Sequence, residues 1–203
     1  MTKEQLISDL ELRLTAGKPS DDVEIPRPLL ATWLDQARAT VIQAESKQTG
    51  EISPSAYTRL ECQSVALETP ECVYGDCFVN VYLTIPTPLS LAHDRGVQVS
   101  FTNGRTVHKI PSPQSYSIFK NLRFGKPEIG YYRVGDRLYI FGQKINHNHK
   151  FTVHLVLANT QTIDDTDTYP IPEHLIPMIL QSAEEIGLRM LQVQQDINND
   201  GKS

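Results

Sequence analysis

Both ends of the chain carry a helical period and its middle does not, and that contrast limits the folds open to it. The clearest helical stretch is the last, residues 169–201, written YPIPEHLIPMILQSAEEIGLRMLQVQQDINNDG. Leu175, Ile176, Ile179, Leu180, Ala183, Ile186, Met190 and Leu191 recur at steps of three, four and one. That spacing predicts an apolar stripe along one side of a helix. Gln181, Glu184, Glu185, Arg189 and Gln192 fall on the other side. Pro170 and Pro172 mark the beginning, because proline suits a first helical turn and resists anything before it. Pro177 leaves two starts open: at Pro172 with a kink, or near Ile176 after a short turn. The pattern fades at Gln194, so the tail DINNDGKS is expected to fray or to wait for a partner.

The first residues show the same period. Leu6, Ile7, Leu10 and Leu14 predict a helix over 3–16, with Thr2 as N-cap and Gln5 completing a capping box. Gly17 and Pro19 supply the stop. A second helix is expected over 28–44, its stripe made by Leu29, Leu30, Trp33, Leu34, Ala37 and Val41. From Gly50 onward, proline, glycine, threonine and tyrosine punctuate short runs, the mark of strands joined by turns. Strands are expected over 57–67, 78–85, 98–101, 107–110, 130–134, 137–141 and 151–157. Asn103-Gly104 and Gly135-Asp136 read as tight hairpin turns, the first through positive φ angles. In VNVYLTI, Val79, Val81, Leu83 and Ile85 alternate with Asn80, Tyr82 and Thr84, one face in and one out.

The expected fold class is therefore α+β. An N-terminal helical pair (1–48) precedes a central antiparallel β-sandwich or partly open barrel (49–168). A long C-terminal helix with a polar tail (169–203) packs back on the N-terminal helices, since two helices alone bury too little area to be stable.

Charge and composition exclude several functions. The net charge is −5 and no Lys/Arg cluster is present, so sequence-independent grip on nucleic acid is not expected. No apolar run approaches the ~20 residues that span a membrane. MTKEQLISDLELRL is amphipathic and acidic, unlike a signal peptide. Cys62, Cys72 and Cys77 lack the spacing of a metal knuckle or redox pair and read as buried or half-buried thiols in a reducing compartment.

Each candidate for chemistry has a plainer reading beside it. His147 and His149 stand two apart and would share a strand face, with His154 on the other, but no Asp, Glu or Cys completes a metal set. They read as a solvated turn. Asp196 to Gly201 matches the first half of a calcium loop, and the closing glutamate does not follow. Asp164, Asp165 and Asp167 read as a solvated acidic loop with no burial to shift their acidity. Ser112, Ser115 and Ser117 lack a glycine elbow. The sequence thus names no catalytic, cofactor-binding or metal residue.

The order of elements and two end segments carry a resemblance. Leu6, Ile7, Asp9, Leu10, Arg13 and Leu14, then Gly17, Ser20, Asp21 and Asp22, then Arg38 and Ala39, resemble the opening of virion structural proteins of crAss-like and related short-tailed phages. The Tyr-Pro-Ile-Pro of 169–172, the long helix and the Asp-rich tail are similar to their ending; the β region matches only in type. The resemblance implies a head-to-tail connector or ring (neck) protein beneath the portal, with no enzymatic activity and no cofactor. It further implies a homo-oligomeric ring, a dodecamer if it follows such a portal, with portal, neck and tail proteins as partners. The location would be the virion, after assembly in the host cytoplasm. DNA would pass through the lumen without specific binding. Two other classes remain: a β-sandwich module binding glycan or protein, and a metal-dependent enzyme built on His147 and His149.

Overall fold

The computed structural model describes residues 1–15, 25–67, 71–73, 76–78, 81–92, 95–110, 129–142 and 149–200, with backbone alone for 71–73, 76–78, 142 and 193–200. The chain forms two compact units, Met1–Tyr57 with Ala158–Ser203, and Thr58–Leu157.

The helical unit begins with α1 (Lys3–Leu14). Its expected capping box is present: Gln5 N donates to Thr2 Oγ1 at 3.2 Å and Thr2 N to Gln5 Oε1 at 3.0 Å. α2 spans Arg27–Thr49 with Pro28 in its first turn. It runs on past the expected end at Ala44, because nothing in 45–49 breaks a helix. The stop is Gly50, whose left-handed φ of 75° lets its N–H reach Ser46 O at 3.1 Å. A 3-10 turn, Pro54–Ala56, follows.

Between the two possible starts of the last helix the structure selects the later one. A 3-10 turn covers Glu173–Leu175, and α3 runs Ile176–Asp200. Pro177 then sits in the first turn, where a missing N–H costs nothing. The backbone stays helical beyond Gln194, so residues 195–200, expected to fray, are helix.

α3 packs on both α2 and α1, as expected for a helix returning to the N-terminal pair. Its buried line is not quite the predicted one. Leu175, Ile179, Leu180, Ala183 and Gly187 are buried, Ile176, Ile186 and Leu191 are half-buried, and Met190 is 51% exposed. Gly187 explains the shift: a Cβ there would lie 3.0 Å from Leu14 Cδ2 and from two ring carbons of Trp33. Close approach through a residue without a side chain draws the contact line along 179, 183 and 187. Met190 is left to the side. The rest of this core is Leu6, Ile7 and Leu10 from α1 and Leu30, Trp33, Leu34, Ala37, Val41 and Ile42 from α2. Leu29, predicted for the stripe, is half-buried.

The β unit contains β1 (Thr58–Ser64), β2 (Ala66–Leu67), β3 (Glu71–Val73), β4 (Asp76–Phe78), β5 (Val81–Thr84), β6 (Val97–Phe101), β7 (His108–Lys109), β8 (Ile129–Val134), β9 (Arg137–Gly142) and β10 (Lys150–Leu155). They form a three-stranded sheet β1-β10-β6, a five-stranded sheet β2-β5-β9-β8-β7 and the separate pair β3-β4. The two larger sheets are not closed into a barrel, which is consistent with a sandwich. Val97, Val99, Phe151, Val153 and Leu155 fill the buried face of one sheet, and Val81, Leu83, Tyr131, Leu138 and Ile140 that of the other. The Tyr131 hydroxyl donates to Val97 O at 2.8 Å and ties the two sheets together inside this core. Val79 and Asn80 of the predicted alternation lie outside the described residues.

Gly135-Asp136 joins β8 to β9 as a two-residue hairpin closed by Val134 opposite Arg137. Gly135 alone has positive φ, 62°, the pattern of a type II′ turn. At Asn103-Gly104 the expectation fails in detail. Only Gly104 has positive φ, its N–H donates to Phe101 O at 2.9 Å, and Asn103 Oδ1 accepts from Arg105 N at 3.1 Å. Asn103 uses its side chain to fold the turn and leaves the left-handed position to glycine. The hairpin also ends early. After the bridge Ser100 to Thr106 and the bond from Val107 N to Val99 O, the chain leaves β6, and β7 pairs in parallel with β8. The five-stranded sheet is therefore mixed.

Candidate functional site

α2 carries Asp35 and Arg38 one turn apart, so both project from the face that also carries Leu34 and Ala37. Both are buried, Arg38 completely. A buried charge needs partners, and each has them. Asp35 accepts from Thr160 N at 2.9 Å, from Thr160 Oγ1 at 2.8 Å and from the Tyr169 hydroxyl at 2.5 Å. Arg38 Nε donates to Pro170 O at 3.0 Å, and a terminal guanidinium nitrogen donates to Ala56 O at 3.4 Å. Its guanidinium lies 5.7 Å from the centre of the Tyr169 ring. Burial lowers the Arg38 pKa, opposed by its attraction to Tyr169 and Asp35. Burial first, and then the Asp35 carboxylate, hold the Tyr169 phenol far above its ordinary 10.0.

Chemically this cluster fixes chain segments. Asp35 holds 160 and 169, while Arg38 holds 170 and the end of the 3-10 turn at 56, four positions outside α-helix and sheet. Lys3 extends the pattern. Its ammonium donates to Ile163 O at 3.3 Å and pairs with Asp165 at 2.9 Å. A groove of about 260 Å³ runs beside Lys3, Arg27, Asp35, Gln161 and Asp165. Asp35 has both oxygens occupied by donors of the chain itself, so it is not placed to take a proton from a ligand there.

The acidic loop is exposed, as expected, and its role is structural. Lys3 N donates to Asp167 O at 3.3 Å and Glu4 N to Asp165 O at 3.0 Å, so the loop satisfies the free N–H groups of the first turn of α1. Asp164 accepts from Thr166 N at 3.1 Å and Thr166 Oγ1 at 2.9 Å, and those bonds hold its carboxyl below the usual value.

His147 lies outside the described residues. His149 sits edge-on to Phe101 at 6.3 Å between ring centres. His154 is half-buried on the outer face of its sheet, in lateral register with Arg59 and Gln98. These three line a groove of about 390 Å³ with Ser100, Thr102, Thr106 and Thr152. Among the described residues no three His, Cys, Asp or Glu side chains gather as metal ligands. Ser112, Ser115, Ser117 and Gly201 are outside the described residues, and Asp196–Asp200 are helical in backbone. Cys62, expected to be buried or half-buried, is instead an exposed thiol with a left-handed φ of 54°, at the bulge where β1 slips register against β10. Among the described residues no helix is long and apolar enough to cross a membrane.

A family model described as phage tail ring protein 2 matches residues 5–202. The chain belongs to that family of crAss-like phage ring proteins. No curated protein matches it. The ring protein is thus a structural component of a phage particle, and a ring implies oligomeric assembly with other tail or neck components.

For such a protein the outward surfaces matter more than any pocket. Among the described residues, Leu12, Met178, Leu188 and Met190 of the helical unit and Leu67 and Val134 of the β unit are exposed large apolar side chains. Met190 is the one among them that periodicity assigned to the core. The buried cluster was missed as a cluster, although its parts were visible. Arg38 and the Tyr-Pro-Ile-Pro of 169–172 appeared in the resemblance as separate segments, and folding joins them. The available signal was a charge at Asp35 and another at Arg38 inside the apolar stripe of α2.

Proposed function

We propose that this protein is the repeating subunit of a closed homo-oligomeric ring in the neck of the particle, beneath the portal and in contact with it and with neighbouring tail proteins. The observation that carries the reading is the family match over residues 5–202. The geometry supports a structural part. The buried Asp35 and Arg38 of the helical unit are committed to chain segments of the same unit. A net charge of −5 suits a lumen through which DNA passes without being held. A dodecamer is the proposed copy number, matching a portal of that symmetry, and assembly takes place in the host cytoplasm.

Quantitative mass spectrometry and imaging of purified particles test this. The expected result is a stoichiometric virion component, present in the copy number of the portal, as a ring adjoining it. Absence from particles, or only one or two copies in each, overturns the proposal. A ring located elsewhere in the tail overturns the portal contact alone.

A further inference from the structure

In the sequence Cys62, Cys72 and Cys77 lack the CxxC spacing of a redox pair. The fold places them differently. β3 and β4 are antiparallel with Glu71 opposite Phe78, Cys72 opposite Cys77 and Val73 opposite Asp76. Two residues, Tyr74 and Gly75, connect the closing pair. In a two-residue hairpin the closing pair exchanges backbone hydrogen bonds, so the next pair outward is a non-hydrogen-bonded one. Opposed residues of that kind have Cα atoms about 4.5 Å apart, inside the range of about 4.4–6.8 Å that a disulfide spans. A hydrogen-bonded pair at about 5.5 Å falls within it as well.

A second observation gives the pairing a purpose. Among the described residues β3 and β4 pair only with each other and belong to neither larger sheet. An isolated two-stranded ladder is marginally stable in water. A covalent bond between its strands would hold it against opening.

We propose that Cys72 and Cys77 are a redox-sensitive pair that closes to a cross-strand disulfide when the protein meets a disulfide oxidant, and stays open in a reducing compartment. With oxidised glutathione as the oxidant, the thiolate of one cysteine attacks a glutathione sulfur and expels one glutathione thiolate. The second cysteine, deprotonated in turn, attacks the mixed disulfide and expels the other. Two protein thiols are oxidised to one disulfide, one glutathione disulfide is reduced to two thiols, and the two protons pass to the departing thiolates. Cys62 takes no part, since it lies at the β1 bulge, paired against β10.

The test uses the full chain with Cys62→Ser, so that only the paired cysteines remain, held in a buffer of oxidised and reduced glutathione. Thiol titration of the denatured protein and intact mass are read after quenching. The expected result is loss of both thiols together, a mass lower by two hydrogens, a chain that stays monomeric on a non-reducing gel, and full recovery with reductant. The unsubstituted chain, carried through the same buffer, keeps one thiol resistant to intramolecular closure. Adding Cys77→Ser to Cys62→Ser is expected to stop the reaction at a glutathione adduct on Cys72. Two persisting thiols, two glutathione adducts on one chain, or disulfide-linked dimers of the Cys62→Ser protein overturn the proposal.

Discussion

In the helical unit a carboxylate, a guanidinium and a phenol are buried beside one another, whereas in the β unit the buried hydrogen-bonding side chains among the described residues are the hydroxyls of Thr152 and Tyr131. The backbone explains the difference. Sheets pair their own N–H and C=O groups along ladders, so the sandwich interior can be nearly all apolar, with one hydroxyl bridging it at Tyr131. The helical unit must also bury chain that is neither helix nor ladder: the end of the 3-10 turn at Ala56, Thr160 and the Pro170 carbonyl. Those groups have no ladder, and Asp35 and Arg38 supply the missing acceptors and donors. In the helical unit the buried Asp35 and Arg38 are thus met by groups of irregular backbone.

The contrast is sharpest at Asp35. Asp35→Ala is expected to cost roughly 3–5 kcal/mol, because it leaves Thr160 and the Tyr169 hydroxyl without their acceptor and the buried Arg38 charge without its opposite charge nearby. Adding Arg38→Met should recover part of that loss instead of adding to it. Trp33 is the chain's single tryptophan and lies in the helical core, so its fluorescence during denaturation reads this unit alone. If Asp35→Ala unfolds at the same denaturant concentration as the parent, the difference between the units is not energetic.

Next in size is the face of α3. Ile179→Ala removes a fully buried side chain and is expected to cost about 2–5 kcal/mol. Ile186→Ala should cost less, because the side chain is half-buried, and Gln181→Ala should stay within about 0.5 kcal/mol. Equal effects at 179 and 186 would restore the stripe that periodicity alone draws.

In the β unit, Tyr131→Phe keeps the ring but leaves Val97 O without its donor. Calorimetry should show a loss of about 1–3 kcal/mol.

Alkaline pH separates the units without mutation. Tyr169 has a raised pKa in the folded chain, so its contribution is intact below the unfolded value of 10.0 and fades as pH climbs above it. The slope is at most about 1.4 kcal/mol per pH unit, and it should vanish from the tryptophan-detected transition in Tyr169→Phe. A slope unchanged by that substitution removes Tyr169 from the account. A small effect is expected at Cys62→Gly, which relieves a left-handed side-chain residue but loosens the unfolded chain. The net change should be within about 1 kcal/mol, on the stabilising side, in thermal melts.

Much of this molecule is written locally. The period of α1 with its Thr2 and Gln5 box, the alternation of β5 and the Gly135 turn each depend on residues a few positions apart, and such signals survive in a linear chain. The α+β class and the return of the last helix follow from them. The sequence reading placed the changes of character near 48 and 168, where composition shifts. The compact units part at Tyr57 and Leu157, because segments of strand-like composition are held to the helices by Lys3, Asp35 and Arg38. Those partners are over a hundred residues apart for Asp35 with Thr160 and Tyr169, and no local rule pairs them. The parallel pairing of β7 with β8 and the register that sets Cys72 opposite Cys77 are likewise properties of the packed chain. So is the side of α3 that Gly187 turns toward Trp33. By itself the sequence determined which segments are helix or strand, because that depends on near neighbours. Tertiary structure decided which charges are buried, which leucines and methionines stay outside and which cysteine positions stand opposite one another, because those depend on groups brought together only when the chain closes.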